Sequence, residues 1–221
     1  MSFDIVSRMR HSEVVRILRD LLRFDTTNPP GNELACARYL AKLFRSEGIP
    51  VKVLESAPGR GNVIARLKGG KLPPLMLNAH LDVVPAVGRW KHPPFAAEIH
   101  DGYIWGRGAV DMKHMAAMSA VVMLNLKRRG VKLNRDLIFS GVADEETGGK
   151  YGARFLVDKH PNLIRAGYCL TEVGGIATPM GGKMLVPVQV AQKGFVWFKL
   201  RARGEGGHGS QPHGDAAIER L

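Results

Sequence analysis

Leu75-Met76-Leu77-Asn78-Ala79-His80-Leu81-Asp82 is the stretch whose reading decides the fold. Its first five residues are nearly all apolar, with no alternation between a wet and a dry side. A strand of that kind is buried on both faces, as in the interior of a sheet covered by helices. A histidine and an aspartate then follow where the strand runs out, and at strand spacing His80 and Asp82 point to the same side. Asp136-Leu137-Ile138-Phe139-Ser140-Gly141-Val142 has the same character, and Asp144-Glu145-Glu146 stands at its end.

Reading outward, Val51-Lys52-Val53-Leu54 and Asn62-Val63-Ile64-Ala65-Arg66-Leu67 are short and rich in β-branched residues. Tyr168–Leu170 and Val186–Val190 read as further strands. Glu98-Ile99-His100-Asp101-Gly102-Tyr103-Ile104-Trp105 predicts a hairpin, because Asp-Gly supplies the positive φ angles of a two-residue turn. Helices alternate with these strands. Ser12 is placed to cap a helix with the stripe Val14, Ile17, Leu18, Leu21 and Leu22. Asn28-Pro29-Pro30-Gly31 breaks the chain, and Glu33–Glu47 carries Ala37, Leu40, Leu43 and Phe44 at helical spacing. Met112–Arg129 predicts a long apolar helix and Gly149–His160 a shorter one. The alternation predicts an α/β fold whose sheet is covered by helices on both faces. Further on, Phe195–Arg203 alternates as a strand, and a Gly-rich loop leads to Asp215–Leu221, which opens a helix. A helix so short cannot bury its face alone, so the sequence is expected to be cut inside a second domain.

The 221 residues suffice for one domain plus part of another, and 45% apolar with 24% charged residues is a globular composition. A formal net charge of +12 first raises an anionic partner such as nucleic acid. The basic residues are scattered, however, and the densest run, Lys127-Arg128-Arg129 before Gly130, reads as a cation-favouring helix C-terminus. No aromatic stacking platform accompanies it, so no nucleic-acid partner is expected. The N-terminal residues lack the continuous apolar stretch of a signal peptide or membrane span. Cys36 and Cys169 are isolated, which favours a reducing compartment, and the expected location is cytoplasmic.

His80 with Asp82 matches a metal-binding imidazole backed by a carboxylate, which fixes the tautomer and raises ligand basicity; a loop-capping pair reads the same way. Asp111 opens the Met112 helix, where an N-cap is the ordinary role of an aspartate. Gly106 and Gly108 nevertheless point to a backbone that passes close to something. Consecutive acids at the end of a buried strand repel one another and raise their pKa values, unless a dication relieves them. In such a pair one glutamate can bind metal while its neighbour takes a proton from water. Glu172 follows the strand at Tyr168, and ligands of open α/β sheets gather beyond the carboxyl ends of strands. One imidazole, several carboxylates and no thiolate exclude a structural zinc knot and suit a hydrolytic pair of divalent ions.

At Asn78-Ala79-His80-Leu81-Asp82-Val83-Val84-Pro85, Gly106-Arg107-Gly108-Ala109-Val110-Asp111-Met112-Lys113 and Ala143-Asp144-Glu145-Glu146-Thr147-Gly148-Gly149 the chain resembles the M20 family of metallopeptidases and deacylases. Glu172-Val173-Gly174-Gly175 and Gly206-Gly207-His208-Gly209-Ser210 follow in the family's order. The resemblance implies a mixed central sheet flanked by helices over 1–192 and the beginning of an α+β lid and dimerisation domain over 193–221. It implies two divalent metal ions, zinc first, with cobalt or manganese as substitutes. His80 and Glu172 would hold one ion, Glu146 the second, and Asp111 both, with the Asp111–Met112 peptide bond cis. Asp82 would orient His80, Glu145 would be the general acid/base, and His208 of the lid would stabilise the tetrahedral intermediate, often in a partner's site. His213 is given no role.

The implied reaction is amide hydrolysis in a small N-acyl amino acid or peptide, by a protein that dimerises through its lid and has no membrane partner. The family's late zinc histidine and its substrate-binding arginine have no counterpart here. The resemblance therefore leaves open a catalytically incomplete fragment that binds at most one metal tightly.

Overall fold

The computed structural model describes residues 12–172 and, beyond them, 177–187, 190–191, 193–194, 196, 198–211 and 214–221. Its contacts divide into two compact units, Met1–Val173 and Gly174–Leu221.

The first unit is built on a mixed five-stranded sheet in the order β1-β2-β6-β3-β7, with β1 Val51–Ala57, β2 Arg60–Leu67, β3 Leu72–His80, β6 Arg135–Val142 and β7 Tyr168–Leu170. β2 pairs antiparallel with both β1 and β6, while β6, β3 and β7 are parallel. β4 Glu98–His100 and β5 Tyr103–Trp105 form the expected separate hairpin, turned by Asp101 at φ 52° and Gly102 at φ 80°.

Helices cover both faces of the sheet. α1 Glu13–Leu22, α2 Leu34–Ser46 and α3 Lys113–Arg128 bury Ile17, Leu21, Leu40, Phe44, Met123 and Leu124 against Leu137 and Phe139 of β6. Phe44 meets Phe139 with ring centroids 5.1 Å apart, and burying one such ring contributes about 1.5–3 kcal/mol. Ile138 points the other way, as the two-residue period of a strand requires, and joins Ile64, Val142 and Leu156 under α4 Ala153–Lys159 and α5 Pro161–Ile164. Ser12 caps α1 by accepting from the Val15 amide at 3.4 Å. The basic run is a helix terminus, as expected: Arg128 clasps Glu13 of α1 and Glu47 at the end of α2, both at 2.6 Å, and Gly130 follows at φ 60°. Cys36 is buried in α2 and Cys169 is exposed in β7, and both thiols are free.

Register decides where chemistry can gather. His80 lies opposite Val142, and Leu77 opposite Leu170, so the carboxyl ends of β3, β6 and β7 open on one edge of the sheet. All three sequence signals (His80, Glu145 with Glu146, and Glu172) follow these ends.

The second unit departs from the sequence expectations. β8 Thr178–Met180 and β9 Lys183–Leu185 make a hairpin over Gly181 and Gly182, and the strand expected at Val186–Val190 ends before it begins, with 188 and 189 outside the described residues. Residues 196 and 198–203 alternate in polarity but belong to no strand, and 195 and 197 lie outside the described residues. Alternation supplies a face; a strand also needs a neighbouring edge for its amides, and among the described residues none is paired with it. The helix expected from Asp215 is a run of turns closed by a Glu219 N–H to Ala216 C=O bond at 3.1 Å. Seven residues do not overcome the cost of helix nucleation by themselves. No helix among the described residues is long and apolar enough to cross a membrane.

Asp136, at the start of β6, accepts from Arg66 at 2.9 Å, Lys68 at 3.1 Å and the Gly69 amide at 2.8 Å. Burial works to raise its pKa, but those donors outweigh burial and hold it below the ordinary carboxylate range. A depressed folded-state pKa gives stability that is present above the unfolded value of about 3.9 and is lost as pH falls through the folded value. Asp136→Asn is expected to cost about 1–2 kcal/mol at pH 7 in urea unfolding, with the difference shrinking as the pH is taken below about 4. An equal deficit at both pH values would contradict this.

Candidate metal centre

At the end of β3 the His80 ring is 1% exposed, and its two nitrogens face different surroundings. Nδ1 donates to the main-chain carbonyl of Asp82 at 2.9 Å, so Nε2 is the nitrogen left for a ligand. Nε2 looks out on carboxylates: Asp111 Oδ1 at 3.0 Å, Glu172 Oε2 at 3.6 Å and Glu145 Oε2 at 3.9 Å. His80, Asp111 and Glu146 each bring a ligand atom within 4.8 Å of the others, and so do His80, Glu145 and Glu172. Every expected residue of the sheet edge is therefore gathered around one imidazole.

The electrostatics are those of a site that calls for a cation. Burial alone would lower the His80 pKa, but Asp82, Glu172 and Glu145 outweigh it and lift the ring to about 10. Burial pushes the Glu146 carboxyl up, and the charge of Asp111 adds to it. Burial likewise raises Glu172, against the pull of His80. Glu146 Oε1 is buried with no hydrogen-bond partner, which costs free energy unless something cationic meets it. A divalent ion would satisfy that oxygen, displace the proton at His80 Nε2 and quiet the repulsion among the acids. Oxygen and imidazole donors of this kind fit zinc and its neighbours.

A model of peptidase family M20/M25/M40 matches residues 76–192, the part of the chain that contains this centre. Aminoacylase-1 of Sus scrofa is 33% identical over 213 residues, which cover 94% of this chain. The chain belongs to peptidase family M20. It spans about half the length of the curated relatives it matches, 51% in the case of the Sus scrofa enzyme. Among solved structures, an M20 metallo-carboxypeptidase of Sulfolobus solfataricus aligns with TM-score 0.64 and 24% identity, over 74% of this chain and 38% of its own. A dinuclear metal-binding M20 peptidase of Bacillus subtilis aligns with TM-score 0.54 and 20% identity, over 74% and 43%. These two likenesses speak for the fold.

In this M20 chain Asp82 does more than stand behind His80. Its carboxylate lies 3.5 Å from Nδ1, and its closer partners are the Glu145 and Glu146 amides, both at 3.1 Å, and the Asn28 side-chain amide at 2.8 Å. The aspartate thus ties the end of β3 to the loop after β6. Asp144, counted with its neighbours as one acidic run, faces inward instead. It adopts φ 68°, accepts from Tyr151 N at 3.0 Å and Arg60 at 3.1 Å, and is held by Thr147 and Asn28 as well. Arg60 also grips Glu33 through two bonds of 2.8 Å. Asn28, Glu33 and Arg60 carried no site signal in the sequence, where Asn28 reads only as part of a chain break. Asn28 Nδ2 reaches Asp82, Asp144 and Thr147 together, and only the tertiary fold shows that.

Asp111 does not cap α3. Its side chain is 61% exposed and directed at His80, while Met112 takes the cap position without a side-chain bond, and the Asp111–Met112 peptide is cis. The glycines ahead of it answer to packing: a Cβ at Gly108, at φ 84°, would sit 2.7 Å from Val83 Cγ1. His208 belongs to the second unit, where its exposed ring lies 2.8 Å from the Ser210 hydroxyl. Val173, Gly174, Gly175 and His213 lie outside the described residues.

Arg60→Met would leave the buried Glu33 and Asp144 carboxylates without their cation. The expected loss is about 3–5 kcal/mol in urea unfolding, partly recovered in the Arg60→Met/Glu33→Gln double variant. A single variant as stable as the parent would refute the role given to this ion pair.

Proposed function

We propose that this chain carries the larger part of the catalytic centre of an enzyme that hydrolyses an amide bond in N-acyl amino acids or small peptides. The observation that carries the reading is the convergence of His80, Asp111, Glu145, Glu146 and Glu172, with Glu146 Oε1 buried and unpartnered. Membership of the family and the likeness to aminoacylase-1 support the substrate class. His80 and Glu172 would hold one divalent ion, Glu146 a second, and Asp111 both. Zinc suits the donors first, with cobalt or manganese as substitutes. Such a pair supplies Lewis acidity to the scissile carbonyl and to a water.

The side chains of this chain do the remaining work. Glu145 is half-exposed at the mouth of the centre and takes a proton from the attacking water. It then returns that proton to the leaving amine. Asp82 fixes the His80 tautomer through its carbonyl and positions Glu145 through the backbone amide. His208, in the beginning of a lid and dimerisation domain, would donate to the oxyanion of the substrate, and a homodimer would form through that domain. The two free thiols fit a reducing, cytoplasmic location.

Among the described residues His80 is the single imidazole in either ligand group around this centre, which favours a second reading: a centre that holds at most one ion tightly. Metal analysis of the purified protein separates the two, since retention of two ions at this centre after dialysis removes the second reading. Glu145→Gln is expected to lower turnover of N-acyl amino acids or dipeptides by about 10²–10⁴-fold with the parent's metal content retained. Loss of metal in that variant, or unchanged turnover, would defeat the assignment of Glu145 as the base.

A further inference from the structure

A second group of ligand-type side chains lies on the β4–β5 hairpin and the loop before it, and shares no residue with the groups around His80. Glu98 and His100 alternate on β4 and so point to the same side, and His92 of the preceding loop packs beside them. His92 Nδ1 and His100 Nε2 both lie 2.9 Å from the same oxygen, Glu98 Oε2. One ligand atom from each residue falls within 4.8 Å of the others. The two rings stack, with centroids 4.0 Å apart and 22° between planes, and Trp105 of β5 supports His92 at 4.7 Å. His92 Nε2 is buried with no partner, so the ring is held by this packing and by Glu98.

We propose that His92, Glu98 and His100 bind one borderline divalent cation, of the zinc and nickel class, at a site separate from the His80 centre. The geometry suits it. Ligand atoms about 2.0–2.1 Å from an ion, at tetrahedral or octahedral angles, stand roughly 2.9–3.4 Å apart, and both nitrogen–oxygen separations meet that range. Two imidazoles and one carboxylate select this class of ion over magnesium or calcium, which prefer oxygen throughout. Glu98 and His100 are 37% and 48% exposed, so water reaches the open coordination positions. Two cations stand on neighbouring residues: the Lys91 ammonium sits 5.6 Å over the Trp105 ring, and Arg19 donates to the Ala97 carbonyl at 2.8 Å. A bound ion would clip the loop at His92 to the hairpin, one short stretch before Asp111, and so stiffen the approach to the other centre. The proposal stands whether or not the protein hydrolyses amides.

The test is calorimetric titration of the metal-stripped protein with Ni2+ alone, repeated on His100→Gln and Glu98→Gln. His100 is exposed, so its variant is expected to melt within a degree or two of the parent in the absence of metal. The parent should take up one more Ni2+ per chain than either variant, or bind it at least ten- to a hundredfold more tightly. His80→Gln should keep this step while losing others, which separates the outcome from that of the His80 centre. Zn2+ should also shift the ring-nitrogen resonances of His92 and His100 in histidine-selective spectra. Equal stoichiometry and affinity in parent and variants, or ring resonances that stay in place at saturating Zn2+, would overturn the proposal and leave a hydrogen-bonded His-Glu-His cluster.

Discussion

Asp82 carries its carboxylate into the interior with no exposure to solvent, and a charge so placed must find its donors inside the protein. It finds them in the Asn28 amide and in the backbone amides of Glu145 and Glu146. The donors come from two distant parts of the chain, so, counting the end of β3 that carries Asp82, one buried charge decides where three segments meet. The loop after β6 cannot drift from the end of β3 without stripping that carboxylate of its bonds. Burial works to raise the Asp82 pKa, but His80 and Asn28 outweigh it, hold the carboxyl below its ordinary range and so keep it charged.

Parallel pairing does the same work on a larger scale. Because β6, β3 and β7 run side by side in one direction, whatever follows each strand is delivered to one edge. The crossovers that parallel pairing requires become the helices that cover both faces, and the covered strands then read as continuous apolar runs. An acid following a buried strand is costly when alone. Several of them around one imidazole make a site whose repulsion a cation can cancel, and Glu172 and Glu145 join Asp82 in lifting the His80 pKa.

This explains what could be read from the sequence. The interior strands and the positions of His80, Asp111, Glu145, Glu146 and Glu172 stand in local pattern, because strand burial and strand ends are local facts. The frame beneath them does not. Asn28, Glu33 and Arg60 act across 27 to 116 positions of sequence, as in the bond from Asn28 to Asp144, and no spacing rule announces such partners. Asp111 shows the reverse difficulty: an aspartate before a helix has an ordinary capping role, and only the tertiary fold turns its side chain toward His80 instead. In the second unit the alternation at 196 and 198–203 is legible as polarity but not as structure, since the partner edge that turns polarity into a strand is not written in the strand itself.

The run Asp144-Glu145-Glu146 draws these points together. Three adjacent carboxylates would repel one another on any regular backbone. Here Asp144 takes a left-handed conformation, a costly one for a residue with a Cβ, and the turn splits the run among three environments. Asp144 goes inward to Arg60, Thr147 and the Tyr151 amide; Glu146 is half-buried, with its Oε1 enclosed; Glu145 stays half in solvent within reach of His80. The strain at Asp144 is offset by the bonds its side chain makes, and Gly152 lets the next helix close over the same corner, where a Cβ would overlap the Ala143 carbonyl. One backbone angle thus gives three neighbouring acids three different environments.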